Sequence, residues 1–243
     1  MRTSNPALNN NTFQRSVVST EEPMSIQGTV NKTGICLALL LVAASWSWGK
    51  VAAGAAVPGA AWFSVLGAFV VAMVTCFKKE WAPVTAPLYA VMEGVALGLI
   101  SVLFEQKFPG IVIQAVSLTF GTLAALLIAY KSGLIKATEN FKLGVFAATG
   151  GIALLYLVDI VIGFFGTRIP FIHESGLLGI GFSVFVVVVA ALNLVLDFDF
   201  IEKGASQGAP KYMEWYGAFG LMLTLVWLYL EILRLLAKTR ERR

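Results

Sequence analysis

Charge is scarce in this chain. Of its 243 residues, 13% are Asp, Glu, Lys or Arg, while 58% are hydrophobic. An average soluble domain is roughly a quarter charged. A soluble globule of this size could not hide so much apolar side chain from water, so an ordinary cytosolic enzyme is excluded. A disordered chain is excluded for the same reason. Cysteine is nearly absent: Cys36 and Cys76 both sit in apolar runs and read as small core residues, which leaves no disulfide framework. His173 is the single histidine, so no histidine-based metal centre is available. Enzyme motifs are missing too, with no Walker loop, no HExxH and no GxSxG. The stretch Gly179-Ile180-Gly181-Phe182-Ser183 opens an apolar run and lacks the preceding strand that a dinucleotide fingerprint needs. The net charge of +4 is modest and predicts no nucleic-acid partner.

What is present is a series of apolar runs separated by short charged punctuation. A membrane-spanning helix needs about 20 such residues. The runs cover 33–49, 59–77, 84–104, 109–130, 143–166, 176–201 and 214–236. The reading is an all-α integral membrane protein, with a seven-span membrane domain over 33–237 and the lipid bilayer as its solvent. Loops are short, so successive helices are expected to be antiparallel neighbours in one bundle. Residues 1–32 are polar and predict a mobile cytoplasmic tail; 238–243 form a basic tail. Gly94 and Gly98, and the patches at Gly150–Gly151, Gly163–Gly166 and Gly217–Gly220, predict close helix packing.

Orientation follows from the basic residues of the short loops. Arg2, Arg15 and Lys32, then Lys78 and Lys79, then Lys131, Lys136 and Lys142, then Lys203 and Lys211 fall on one side of a seven-span chain. The opposite loops hold Lys50, Lys107 and Arg168. This bias puts the N-terminus in the cytoplasm. The basic C-terminal segment, with Arg234, Lys238, Arg240, Arg242 and Arg243, pulls the other way and leaves a re-entrant stretch as the alternative. The last run is long and strongly apolar, which favours seven full spans.

Charged groups inside a span are costly and mark candidate sites. Here they are Glu93, Asp159, Asp197, Asp199 and Glu231, all carboxylates. Helical rise puts Glu93 about 14 Å, Asp159 about 24 Å and Glu231 about 25 Å from the cytoplasmic edge, with Asp197 about 6 Å from it. Carboxylates staged through the membrane suit a cation or proton path better than a catalytic centre. Hard oxygen ligands suit calcium or protons. Asn193, one turn before Asp197, predicts an inward polar stripe. Arg234, three residues after Glu231, makes a local ion pair the competing reading for that acid. Asp199 lies at a helix end, where solvation is cheap.

The segments Leu196-Asp197-Phe198-Asp199-Phe200-Ile201-Glu202-Lys203, Ala209-Pro210-Lys211-Tyr212 and Leu228-Tyr229-Leu230-Glu231 resemble the Bax inhibitor-1-like (TMBIM) family, in its bacterial YccA-like branch. The resemblance implies a seven-helix bundle with the last helix near its centre, in the bacterial cytoplasmic membrane. It implies a pH-sensitive calcium leak gated by two acids on the sixth and seventh spans. The first acid matches Asp197. The second matches Glu231 if the Leu-Tyr-Leu-acid segment sets the alignment, and a position near Leu223 if Pro210 and Tyr212 set it. Asp197 and Glu231 would then be transient calcium ligands.

The leading expectation is therefore a passive, pH-sensitive calcium leak and not an enzyme, with no cofactor and calcium as the permeant ion. Two alternatives stay open. One is a non-conducting modulator of a membrane-bound quality-control protease, which the resemblance also implies. The other is a small proton-coupled transporter using the same acids.

Overall fold

The computed structural model describes residues 22–54, 58–167 and 169–242. Its elements are α1 (Ile26–Ala52), α2 (Pro58–Phe77), a 3-10 turn (Lys79–Trp81), α3 (Ala82–Lys107), α4 (Ile111–Lys131), α5 (Glu139–Gly163), the short α6 (Pro170–His173), α7 (Leu177–Ser206) and α8 (Met213–Glu241). Among the described residues extended pairing is limited to one bridge, between Pro23 and Pro210. Among the described residues six helices are long and apolar enough to cross a membrane, and α2 contributes a shorter apolar segment, Trp62–Phe77.

Several boundaries differ from the apolar runs, and three of them have a clear local reason. The first helix begins at Ile26, not at residue 33, because Ser25 caps it: its backbone is extended and its Oγ accepts from the Gly28 N–H at 2.9 Å. Residues 26–32 of the expected tail are thus helical, while 1–21 lie outside the described residues. α5 starts at Glu139 because Thr138 caps it. α8 runs through Glu241, so Lys238 and Arg240 of the expected tail lie in its last turn, where cations suit the helix dipole, while residue 243 lies outside the described residues. Between α3 and α4 the chain turns at Gly110, with φ +79, and both Glu105 carboxylate oxygens accept from backbone N–H groups there, Gly110 at 2.6 Å and Val112 at 3.1 Å. An acid at a helix start satisfies donors that the helix itself cannot.

Side-chain pairs fix the direction of each helix. Ser25 and Lys32 at the start of α1 meet Glu214 at the start of α8. Lys79, just before α3, lies over the Tyr216 ring of α8. Tyr130 at the end of α4 meets Glu202 near the end of α7, and Lys142 at the start of α5 pairs with Asp199. These contacts define one face of the bundle, called here the near face. Lys107 at the end of α3 and Ser175 before α7 both meet Glu241 at the other end of α8, the far face. Consequently α1, α3, α5 and α8 run one way, and α4 and α7 the other.

α1 and α3 approach each other backbone to backbone. A methyl group at Gly94 would sit 2.9 Å from the Ala43 Cβ and 3.0 Å from the Leu40 carbonyl carbon; one at Gly98 would sit 2.9 Å from the Ala44 carbonyl carbon. Both glycines face carbonyls four residues apart on α1, as parallel helices require, so α2 must return the chain between them. The other glycine patches behave differently. A methyl group added at Gly150, Gly151, Gly163, Gly166 or Gly220 would meet nothing within 4 Å, so among these patches close packing is confined to Gly94, Gly98 and, more loosely, Gly217.

α8 packs against α1, α3, α4 and α7. Its Met222, Leu228 and Leu233 are fully buried, beside Leu194 of α7 and Ile111 of α4. α5 joins the rest mainly through α7, where Ile152 packs with Val186 and Val189. α2 rests on α3 and leaves Trp62 and Phe63 exposed, as a lipid-facing helix would.

Candidate functional site

The seam between α7 and α8 holds Asp197 and the buried Ser183, Thr224 and Lys238. Asp197 projects from α7 toward Thr224 of α8. Its Oδ2 is fully buried and has no hydrogen-bond partner among the described residues. Thr224 is itself occupied, donating from Oγ1 to the Gly220 carbonyl at 3.2 Å. Leaving a buried acceptor unpaired costs about 1–3 kcal/mol, more for a charged group, so this oxygen calls for a partner supplied from elsewhere.

Asn193 lies one turn earlier on α7 but serves a different neighbour. Its Nδ2 donates to Thr149 Oγ1 of α5 at 2.8 Å and to the Val189 carbonyl at 2.9 Å. The first of these bonds ties α5 to α7 and so steadies the helix that carries Asp197. Asp199, two residues on, belongs to the near-face rim: it pairs with Lys142 at 3.0 Å and Lys203 at 2.9 Å.

Glu231 sits seven residues beyond Thr224 on α8, about 10 Å further along the axis. Its side chain is buried and fully engaged. Arg234 Nη1 donates to both carboxylate oxygens, at 3.0 and 3.2 Å, and the Tyr156 hydroxyl of α5 donates to Oε1 at 3.0 Å. Arg234 also reaches the Tyr156 oxygen at 2.7 Å and lies over its ring. The i, i+3 ion pair that the spacing of Glu231 and Arg234 predicts is thus present, closed by a tyrosine.

The remaining acids are dispersed. Glu93 hydrogen-bonds to Tyr89, one turn back on α3. Asp159, near the end of α5, accepts from the Ile169 N–H at 2.9 Å and so holds the loop that leads into α6. Asp197 and Glu231 therefore have different neighbours: a threonine faces the first, and an arginine pairs with the second. No group of three or more His, Cys, Asp or Glu among the described residues could hold a metal ion.

A family model described as Bax inhibitor 1 like matches residues 5–241, the whole of this bundle. The chain belongs to the Bax inhibitor 1-like family. No curated protein and no solved structure matches it. Within this Bax inhibitor 1-like chain, the residue beside Asp197 on α8 is Thr224, next to Leu223, and it carries a hydroxyl rather than an acid.

Two buried ionic sites escape a reading of the sequence. Glu214 is wholly buried at the near face; it accepts from the Ser25 N–H at 2.9 Å and Oγ at 3.0 Å, pairs with Lys32, and has Lys211 at 3.5 Å. Its legible signal is an acid in the first turn of a helix. Lys238, 4% exposed at the far face, donates to Ile172, Gly179 and Ser183. A lysine inside a run of C-terminal cations gives no sign of that burial. Apart from the seam, an apolar cavity of about 410 Å³ opens between α1, α3, α4 and α8, floored by the Ser101–Tyr229 hydrogen bond at 2.7 Å.

Proposed function

We propose that this family member is a seven-span protein of the bacterial cytoplasmic membrane that leaks cations passively, calcium among them, in a pH-dependent way. The N-terminal, near face lies in the cytoplasm, in keeping with the basic residues of its loops. The helix directions support seven crossings, since α1 and α3 are parallel and α2 must run back between them. The last helix, packed on four others, forms the wall of the path.

One observation carries the reading: the unpartnered, buried Oδ2 of Asp197 on the α7–α8 seam. A bare carboxylate oxygen inside a membrane protein is costly, and such groups mark ion and proton pathways. A passing cation supplies the missing partner. A proton competes with it, because a protonated carboxyl no longer offers a full negative charge. Asp197 acts alone in this role, since Glu231 is neutralised by Arg234.

The test is calcium influx into proteoliposomes holding the purified protein and a trapped indicator. Influx is expected to fall as pH drops from about 8 to about 6, and Asp197→Asn is expected to remove both the influx and its pH dependence. Influx that is indifferent to Asp197→Asn and to pH would sink the proposal.

A further inference from the structure

The α7–α8 seam ends at the far face in a second polar site, and its occupant is part of the chain. Lys238 Nζ donates to the Ile172 carbonyl at 2.7 Å, to Ser183 Oγ at 2.9 Å and to the Gly179 carbonyl at 3.1 Å. An ammonium has three N–H donors, and all three are used. The oxygens come from separate elements: Ile172 from α6, Gly179 and Ser183 from the first turns of α7. All three are neutral. Among the described residues no carboxylate is hydrogen-bonded to the ammonium; Glu231 is held by Arg234, and Glu241 by Lys107 and Ser175.

A cation removed from water with no paired anion is expensive, and a Met or Leu of similar length would fill the same space without that cost. Neutral oxygens converging on one positive centre are the donor set of a hard-cation site. Here the site is filled by a tethered ammonium. It lies on the same two helices as Asp197, fourteen residues from it along α7 at Ser183, about 21 Å along the axis.

We infer that the Ile172, Gly179 and Ser183 oxygens form a cation site at the far end of the seam, and that Lys238 occupies it as a built-in plug. A permeating cation enters these oxygens only when the ammonium leaves them. This rests on the leak reading above, but the site can be tested without flux.

The flux arm compares wild type with Lys238→Met and Lys238→Arg in proteoliposomes supplied with external calcium. Lys238→Met keeps the length and removes the charge; it is expected to raise influx at least about tenfold, the factor that even one of its three charge-assisted hydrogen bonds corresponds to. Lys238→Arg keeps a cation at the site and is expected to stay near the wild-type rate. The labelling arm places Ser183→Cys in a background carrying Cys36→Ala and Cys76→Ser, and measures its reaction with a cationic methanethiosulfonate reagent applied to the far face. Labelling is expected to be at least about tenfold faster when position 238 is Met than when it is Lys. Equal labelling of the two, in variants that remain monodisperse in detergent, overturns the plug. Labelling that opens while no variant conducts retains the plug and overturns the leak reading alone. Conduction that Lys238→Met leaves unchanged or lowers overturns the plug and leaves the leak standing.

Discussion

The parallel contact of α1 and α3 yields a stability prediction with a magnitude set by interatomic distances. Carbon atoms at rest sit about 3.5–4.0 Å apart. A methyl group at Gly94 would lie 2.9 Å from the Ala43 Cβ and 3.0 Å from the Leu40 carbonyl carbon, and one at Gly98 2.9 Å from the Ala44 carbonyl carbon. The obstacle is mainly backbone, which cannot rotate away as a side chain would. The helices must separate by roughly half to one ångström along a contact that also carries Cys36, Leu40 and Leu97 of the core. Overpacking of this kind costs about 1–3 kcal/mol. Replacing Gly by Ala returns up to about 1 kcal/mol of helix propensity. The expected net loss for Gly94→Ala or Gly98→Ala is about 1–2 kcal/mol. Gly151→Ala serves as the control, because its methyl meets nothing within 4 Å and keeps only the propensity gain. Reversible unfolding in mixed micelles measures all three. If Gly98→Ala proves as stable as Gly151→Ala, α1 and α3 do not pack as described.

Other consequences follow from the ionic sites. Arg234→Leu strands Glu231, which is 2% exposed, and is expected to cost about 3 kcal/mol, whereas Glu231→Leu with Arg234→Leu should recover most of that loss; additive losses in this double-mutant cycle would argue against the pair. Glu214→Gln removes the charge that Lys32 and Ser25 share, with an expected loss of about 1–3 kcal/mol and faster amide exchange at Ser25 and through residues 26–32; unchanged exchange would show that another contact holds the start of α1. Asn193→Leu breaks the bond to Thr149 and is expected to loosen α5, lowering the melting temperature in detergent without a change in the protection of α1 and α3. An unchanged melting temperature would refute that tie.

Six of the described helices are legible in the sequence because they are apolar runs long enough to cross a bilayer, and most of their ends are marked by charge. Some ends are set by local caps, Ser25 and Thr138, and others carry polar residues that look like loop when read alone because distant partners stabilise them. Lys32 reads as punctuation until Glu214, 182 residues later, takes it up. Lys238 reads as tail until the carbonyls of α6 and α7 surround it. Local pairing is easier to see. The spacing of Glu231 and Arg234 on one helix face points to their ion pair, but Tyr156 completes it from α5, and no spacing reports a contact between helices. Asp197 stands out as a candidate from its place inside an apolar run. Which residue faces it depends on the register of α8 against α7, and Thr224 takes that place. The glycines show the same limit, since Gly94 and Gly150 look alike in sequence and only the first meets another backbone.

The Asp197 carboxylate, whose buried Oδ2 has no partner among the described residues, is central to the proposal of a pH-sensitive cation leak. Calcium influx into proteoliposomes, measured across pH for wild type and Asp197→Asn on preparations of matched folding and density, tests it most directly. Wild-type influx is expected to decline toward acid pH, and the Asp197→Asn variant to be silent at every pH. Equal influx through both proteins, with the same pH profile, would contradict that role.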